Sequence, residues 1–157
     1  MARTVWPFAI LTIAALAAAP AAAPRDTPQT ACALVTRDEA AAAVGARVSD
    51  GELTAVPPAG GMEVSACLFR GGGMDELKVT VYRFAAAAKQ SLDVYRARCG
   101  AKEAAAGLGD VACWYSARHH ELQVLKGTTL VVFQLDRGGS TTEPLLAVAK
   151  LAVPRLR

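Results

Sequence analysis

An α+β fold is what this sequence predicts: a mainly antiparallel sheet of about five or six strands, with three helices packed on one face. Three observations carry that expectation. Leu77, Val79 and Val81 alternate with Lys78, Thr80 and Tyr82, which is the period of a half-buried strand. Ala88, Leu92, Tyr95 and Cys99 recur every three or four positions, so they share one face of a helix. The strand-like segments are joined by hairpin-length connections, which favours antiparallel pairing in the order α-β-β-α-β-β-β-α.

The chain of 157 residues opens MARTVWPFAILTIAALAAAPAAAPRDTPQ. Arg3 forms a short basic start, and Phe8 to Ala19 is an uncharged run too short to span a bilayer comfortably. Ala19-Pro20-Ala21 has the small-residue pattern that a signal peptidase cleaves, so residues 1–21 read as a signal peptide. An uncleaved membrane anchor is the competing reading. Residues 22–30, rich in Pro and Ala, read as a disordered lead-in, and 31–157 as one domain of ordinary size. The expected location is therefore periplasmic or secreted, with no stable membrane insertion after cleavage. The formal net charge is +3, one unit of it from Arg3, and no basic run exceeds a pair. Nothing in that balance suggests a nucleic acid partner or an anionic membrane surface.

The first helix falls in "CALVTRDEAAAAVG". Thr36 and Glu39 fit a capping box, and Gly45 fits a left-handed stop. Turn signals follow at Asp50-Gly51, Pro57-Pro58 and Gly60-Gly61, leaving Val48 and Leu53–Val56 as either a weak edge strand or a loop. "EVSACLFR" and "ELKVTVYRF" are strands, joined by "GGGMD". A glycine-rich loop that cradles phosphate needs a helix immediately after it, and here a strand follows, so this is a hairpin turn. "AAAAKQSLDVYRARCG" is the second helix. "VACWY" and "ELQVLK" are strands joined by "SARHH", and Gly127-Thr128 turns into "TLVVFQL". The closing helix is "EPLLAVAKLAVPRL", with Pro144 in its first turn and an apolar stripe through Leu145, Val148, Leu151 or Ala152, and Leu156. A faint echo relates Cys67-Leu-Phe before Leu77 to Cys113-Trp-Tyr before Leu122, which raises a duplicated helix-plus-hairpin unit as one option.

Cys32, Cys67, Cys99 and Cys113 are even in number and none stands at C-x-x-C spacing, so two disulfides are expected in an oxidising compartment. Cys99 faces inward from the second helix, and a short loop returns the chain to Cys113. Cys99 with Cys113 and Cys32 with Cys67 is the pairing this favours. Cys32 with Cys99 and Cys67 with Cys113 is the competitor.

"CALVTRDEAAAAVG", "ACLF", "GLGDVACWY", "KG" and "TLVVF" together resemble a family of small bacterial exported proteins and lipoproteins with no assigned activity. The resemblance spans most of the chain after residue 30 and implies fold and compartment. It supplies no catalytic residues, and this chain departs from the lipoprotein members in lacking a lipid-attachment cysteine in the leader.

Candidate chemistry is sparse. His119 and His120 are the only histidines; adjacent strand residues point to opposite faces, so a metal site would need a turn and help from Glu121, Met62 or Met74. A solvated hairpin tip is the plainer reading. Cys113 with His119 as nucleophile and base gives way to the disulfide. Ser140 has no G-x-S-x-G elbow, and Gly107–Asp110 resembles a dinucleotide loop only until a strand follows it. Asp38 and Glu39 fit a helix cap, and Asp75 and Glu76 a hairpin tip. Trp114 and Tyr115 must take opposite faces, which leaves one aromatic on the open side of the sheet beside Tyr82, a candidate binding surface. The expected function is a non-catalytic exported module, without a cofactor, that binds an envelope protein or other envelope component. The alternative is a periplasmic metal handler using His119 and His120.

Overall fold

The structure is a computed structural model that describes residues 29–157. The signal peptide expected at 1–21, and the lead-in as far as residue 28, lie outside the described residues. Gln29 and Thr30, counted with the lead-in, are half-buried against the domain, and the Arg83 guanidinium donates to the Gln29 carbonyl.

Along the chain, a 3-10 turn at Ala31–Ala33 precedes α1 (Arg37–Val44), β1 (Glu52–Ala59), β2 (Met62–Arg70) and β3 (Glu76–Phe84). Then come α2 (Lys89–Gly100), β4 (Glu103–Ala104), β5 (Val111–Trp114), β6 (Glu121–Lys126), β7 (Thr129–Asp136), α3 (Thr142–Ala152) and a second 3-10 turn at Val153–Arg155. The strands form one sheet of seven in the order β1-β2-β3-β7-β6-β5-β4, and every neighbouring pair is antiparallel. The fold is α+β as the sequence predicts, with two corrections.

The first is the strand count. The segment left open between strand and loop is a strand, β1, and a two-residue β4 extends the far edge. Four or five residues of alternation are needed before a strand is visible in a sequence, so Glu103–Ala104 carries no signal of its own.

The second concerns the helices, which do not share one face. Register places Leu77, Val79, Val81, Leu122, Val124, Val131 and Phe133 on one side of the sheet. There α1, α3 and the first 3-10 turn cover them and form the main core with Leu34, Leu145 and Val148. Thr80, Tyr82, Leu125, Leu130 and Val132 face the other way, and α2 packs on that side through Leu92 and Tyr95 in a separate small core. The reason lies in β7. Leu130–Phe133 is a continuous apolar run, so both its faces need cover, as in strands buried on two sides.

Local sequence explains the ends of the elements. At α1 the Thr36 hydroxyl accepts from the Glu39 amide while the Glu39 carboxylate accepts from the Thr36 amide, and Gly45 closes the helix at φ 80°. The last α-helix stops at Ala152, short of the expected span, and passes into the 3-10 turn Val153–Arg155, because Pro154 has no amide to donate to the helical ladder. Of the two options for its stripe, Ala152 is buried and Leu151 is exposed. The echo between the hairpins does not extend to packing: Cys67 faces the main core and Cys113 the α2 side.

Candidate functional site

The two disulfides sit on opposite sides of the sheet. Cys32 bonds to Cys67 with Cα atoms 4.9 Å apart, fastening the first 3-10 turn to β2. Cys99 bonds to Cys113 with Cα atoms 5.6 Å apart, fastening the end of α2 to β5. This is the pairing that the inward face of the second helix favours. Beside Cys99 the Tyr95 hydroxyl lies 3.6 Å from the Cys99 sulfur. Burial, and secondarily the Glu121 carboxylate, push that phenol up to about 12.

The segment Gly107–Asp110 is a turn with a packing reason. Gly109 has φ 55°, and a side chain there would run into the Leu125 carbonyl. The Asp110 amide donates to that same carbonyl at 2.7 Å, and the Asp110 carboxylate accepts from the Gly127 amide at 2.7 Å. The motif locks the start of β5 to the β6–β7 turn, and a strand follows it where a dinucleotide loop opens a helix.

The densest convergence of polar groups is around His119. The sequence reads this position as a solvated hairpin tip, and the structure corrects that. His119 is the one non-glycine residue with positive φ among the described residues, at 55°. Its amide donates to the Ser116 carbonyl, and its carbonyl accepts from the Thr141 hydroxyl at 2.7 Å. The ring is 25% exposed and stacks on Trp114, centroids 4.6 Å apart and planes 24° apart. Its Nδ1 lies 3.0 Å from Thr142 Oγ1 and its Nε2 lies 2.9 Å from Glu103 Oε2. One imidazole thus joins the β5–β6 loop, β4 and the first turn of α3. Sequence reasoning missed Glu103, Thr141 and Thr142 because they lie 16, 22 and 23 residues from His119, with no local pattern linking them.

Hydroxyl, imidazole and carboxylate in that order make up the relay of acyl-transfer enzymes. Here Thr142 stands at the start of a helix, and the clefts of about 550, 310, 300 and 320 Å³ on the surface are all lined by other residues. The contacts of His119 tie the β5–β6 loop to β4 and to the start of α3.

His120 bonds elsewhere, with Nδ1 3.3 Å from the Leu135 carbonyl and its amide on the Ser116 hydroxyl. The two rings serve different elements, and Met62 and Met74 sit at β2's start and in the β2–β3 turn. Among the described residues no three of His, Cys, Asp and Glu converge as a metal site would require.

The aromatic surface is also rearranged. Trp114 and Tyr115 do take opposite faces, but Trp114 is 5% exposed within the main core, and Tyr82 packs into the small core under α2. Tyr115 is 48% exposed with the Lys102 ammonium 5.3 Å from its ring centre. The three residues do not form one patch.

A further ion pair organises the main-core side. Arg155 holds both Glu39 oxygens, at 2.6 and 2.8 Å, and also donates to the Leu34 carbonyl. The Arg155 hydrogen bonds, with help from Thr36, outweigh burial and lower the Glu39 carboxyl to about 2. Among the described residues no helix is long and apolar enough to cross a membrane.

No known protein family, curated protein or solved structure matches this chain, so its functional reading rests on the geometry above and on the sequence motifs.

Proposed function

We propose that this chain is an exported, non-catalytic binding module of the bacterial cell envelope, periplasmic or secreted, whose ligand is an envelope protein or another envelope component. The observation that carries the reading is the uneven cover of the sheet. On the α2 side the helix packs against the β4–β5 end. Towards the other end the same side carries Val56, 52% exposed, and the half-buried Val64, Ala66 and Leu68. Apolar side chains left open beside a rigid, covered sheet are the usual ground plan of a docking surface. Two disulfides and the leader pattern support the compartment.

The test is saturable binding of the mature protein to fractionated envelope, compared with Val64→Lys and Leu68→Lys. Binding lost in both variants, with the fold intact by circular dichroism, supports the reading. Turnover of an ester, peptide or glycan by the purified protein, abolished by a point substitution, overturns it.

A further inference from the structure

The two edges of the sheet are unlike. At one end β4 offers two residues. At the other, β1 offers eight, all exposed, and among the described residues no strand pairs with its outer side. A long exposed edge carrying apolar side chains is a template for another strand. Pro57 and Pro58 end the regular ladder, since the register shifts between Val56 and Ala59. Gly51 precedes the strand, so the usable template is the five-residue run Glu52–Val56.

We propose that this edge pairs with the same edge of a second copy, β1 antiparallel to β1, about a two-fold axis through Thr54. Self-complementarity argues for that occupant. A two-fold interface brings each residue against its mirror position. Centring on Thr54 sets Leu53 opposite Ala55, Thr54 opposite Thr54 and Glu52 opposite Val56, and keeps both prolines out of the ladder. No like charges are opposed, because Glu52 is the one charged residue of the run and is held by Arg70 of its own chain.

The side chains fit as well. Leu53 and Ala55 pair with Cys67 and Ser65, so both point to the main-core side. Ala55 there borders a cleft of about 310 Å³ that Val56, Pro58 and Val64 line beside the charged Glu63 and Arg83. Leu53 is 47% exposed in one chain; in the pair, the second copy's Leu53 lies beside Ala55 at the mouth of that cleft. On the other side Val56 is covered by the stem of Glu52. The two large apolar side chains that β1 exposes are thereby both buried, and the two sheets become continuous.

The experiment uses the mature full chain. Sedimentation should show a reversible dimer, and Leu53→Lys should weaken it on the order of tenfold or more, because each copy then loses its apolar contact with Ala55 of the other and brings a charge into the seam. Thr54→Cys should cross-link as a dimer under mild oxidation, since directly opposite strand residues have Cα atoms about 4.5–5.5 Å apart, within disulfide reach. Mixing Leu53→Cys with Ala55→Cys chains should cross-link the two species, while neither alone does so. A chain that stays monomeric at its highest soluble concentration overturns the proposal. So does a dimer that is indifferent to Leu53→Lys and not cross-linked by Thr54→Cys, and so does a monomer that takes up a foreign extended peptide along β1.

Discussion

The two sides of the sheet are held by different means. On one, α1, α3 and the first 3-10 turn bury a continuous core that includes Leu34, Leu77, Phe133, Leu135, Leu145 and Val148. On the other, α2 buries only Leu92 and Cys99 among its own residues, over a core of Leu125, Leu130 and Val132. That helix has no side-chain cap at its start. Its packing alone would hold it weakly, since a short helix depends on tertiary contacts. The Cys99–Cys113 bond compensates. The comparison teaches that one staple joins elements already packed on a continuous core, while the other fastens an element with little buried surface of its own.

The largest effect expected is on the main core. Phe133 is fully buried at the centre of the sheet, and Phe133→Ala should cost about 4 kcal/mol through lost burial and the cavity left behind. Urea unfolding should show it as a lower midpoint for every probe at once. Next comes the α2 staple. Its loop spans 14 residues, so Cys99→Ser with Cys113→Ser should remove about 3 kcal/mol by the loop-entropy estimate. Global unfolding carries that loss on both sides of the sheet, and beyond it hydrogen exchange should quicken further in α2 and β5, through local opening, than in β3 and β7. Equal loss of protection on both sides of the sheet would break the comparison.

Much of this was legible in the sequence. The alternation in β3, the helical face through Leu92 and Cys99, and the capping box at Thr36 each rest on contacts within a few residues, so they show directly. The strand face that α2 covers is legible too, although not that α1 and α3 take the opposite one. Cys99 points at Cys113, and Cys113 shares a strand face with Val111 and Tyr115, opposite Trp114. Once Leu130–Phe133 is recognised as apolar on both faces, one helix must cross to the other side. The His119 cluster was not legible. Its partners arrive from β4 and α3 through tertiary folding, and a polar loop with two histidines looks the same whether it is solvated or tied down. Trp114 misled for the same reason, because an aromatic residue on a strand does not declare which side will be covered.

The Glu39–Arg155 pair sharpens the comparison through pH, since it belongs to the main-core side alone. Glu39 falls from an ordinary 4.5 to about 2 in the folded chain. Its contribution is therefore fully present above about pH 4.5 and is lost as pH falls towards 2. Glu39→Gln should destabilise the protein by about 2 kcal/mol at neutral pH, as for loss of a charge-assisted bond, and flatten the acid limb between those values. Stability measured across that range for both chains checks it, and an unchanged acid limb would remove the pair from the account.

The smallest expected effect concerns His119, where the two sides meet at the β5–β6 loop. His119→Ala removes the stack on Trp114 and both ring bonds, yet the backbone keeps its positive φ with a side chain that also disfavours it. Glu103 is exposed enough for water to replace its bond, so the cost should be about 1–2 kcal/mol. His119→Gly loses the same contacts but relaxes the backbone, and should recover roughly half of that loss, less the entropy that glycine adds to the unfolded chain. Thr142→Val separates the hydroxyl from the rest and should cost less than 1 kcal/mol, because it breaks one partly buried bond. If Ala and Gly prove equally destabilising, the backbone strain at this loop is negligible and the ring contacts account for the whole effect. If all three substitutions are silent in denaturant unfolding, the imidazole does not tie β4 to α3, and the loop is the solvated tip that its sequence suggests.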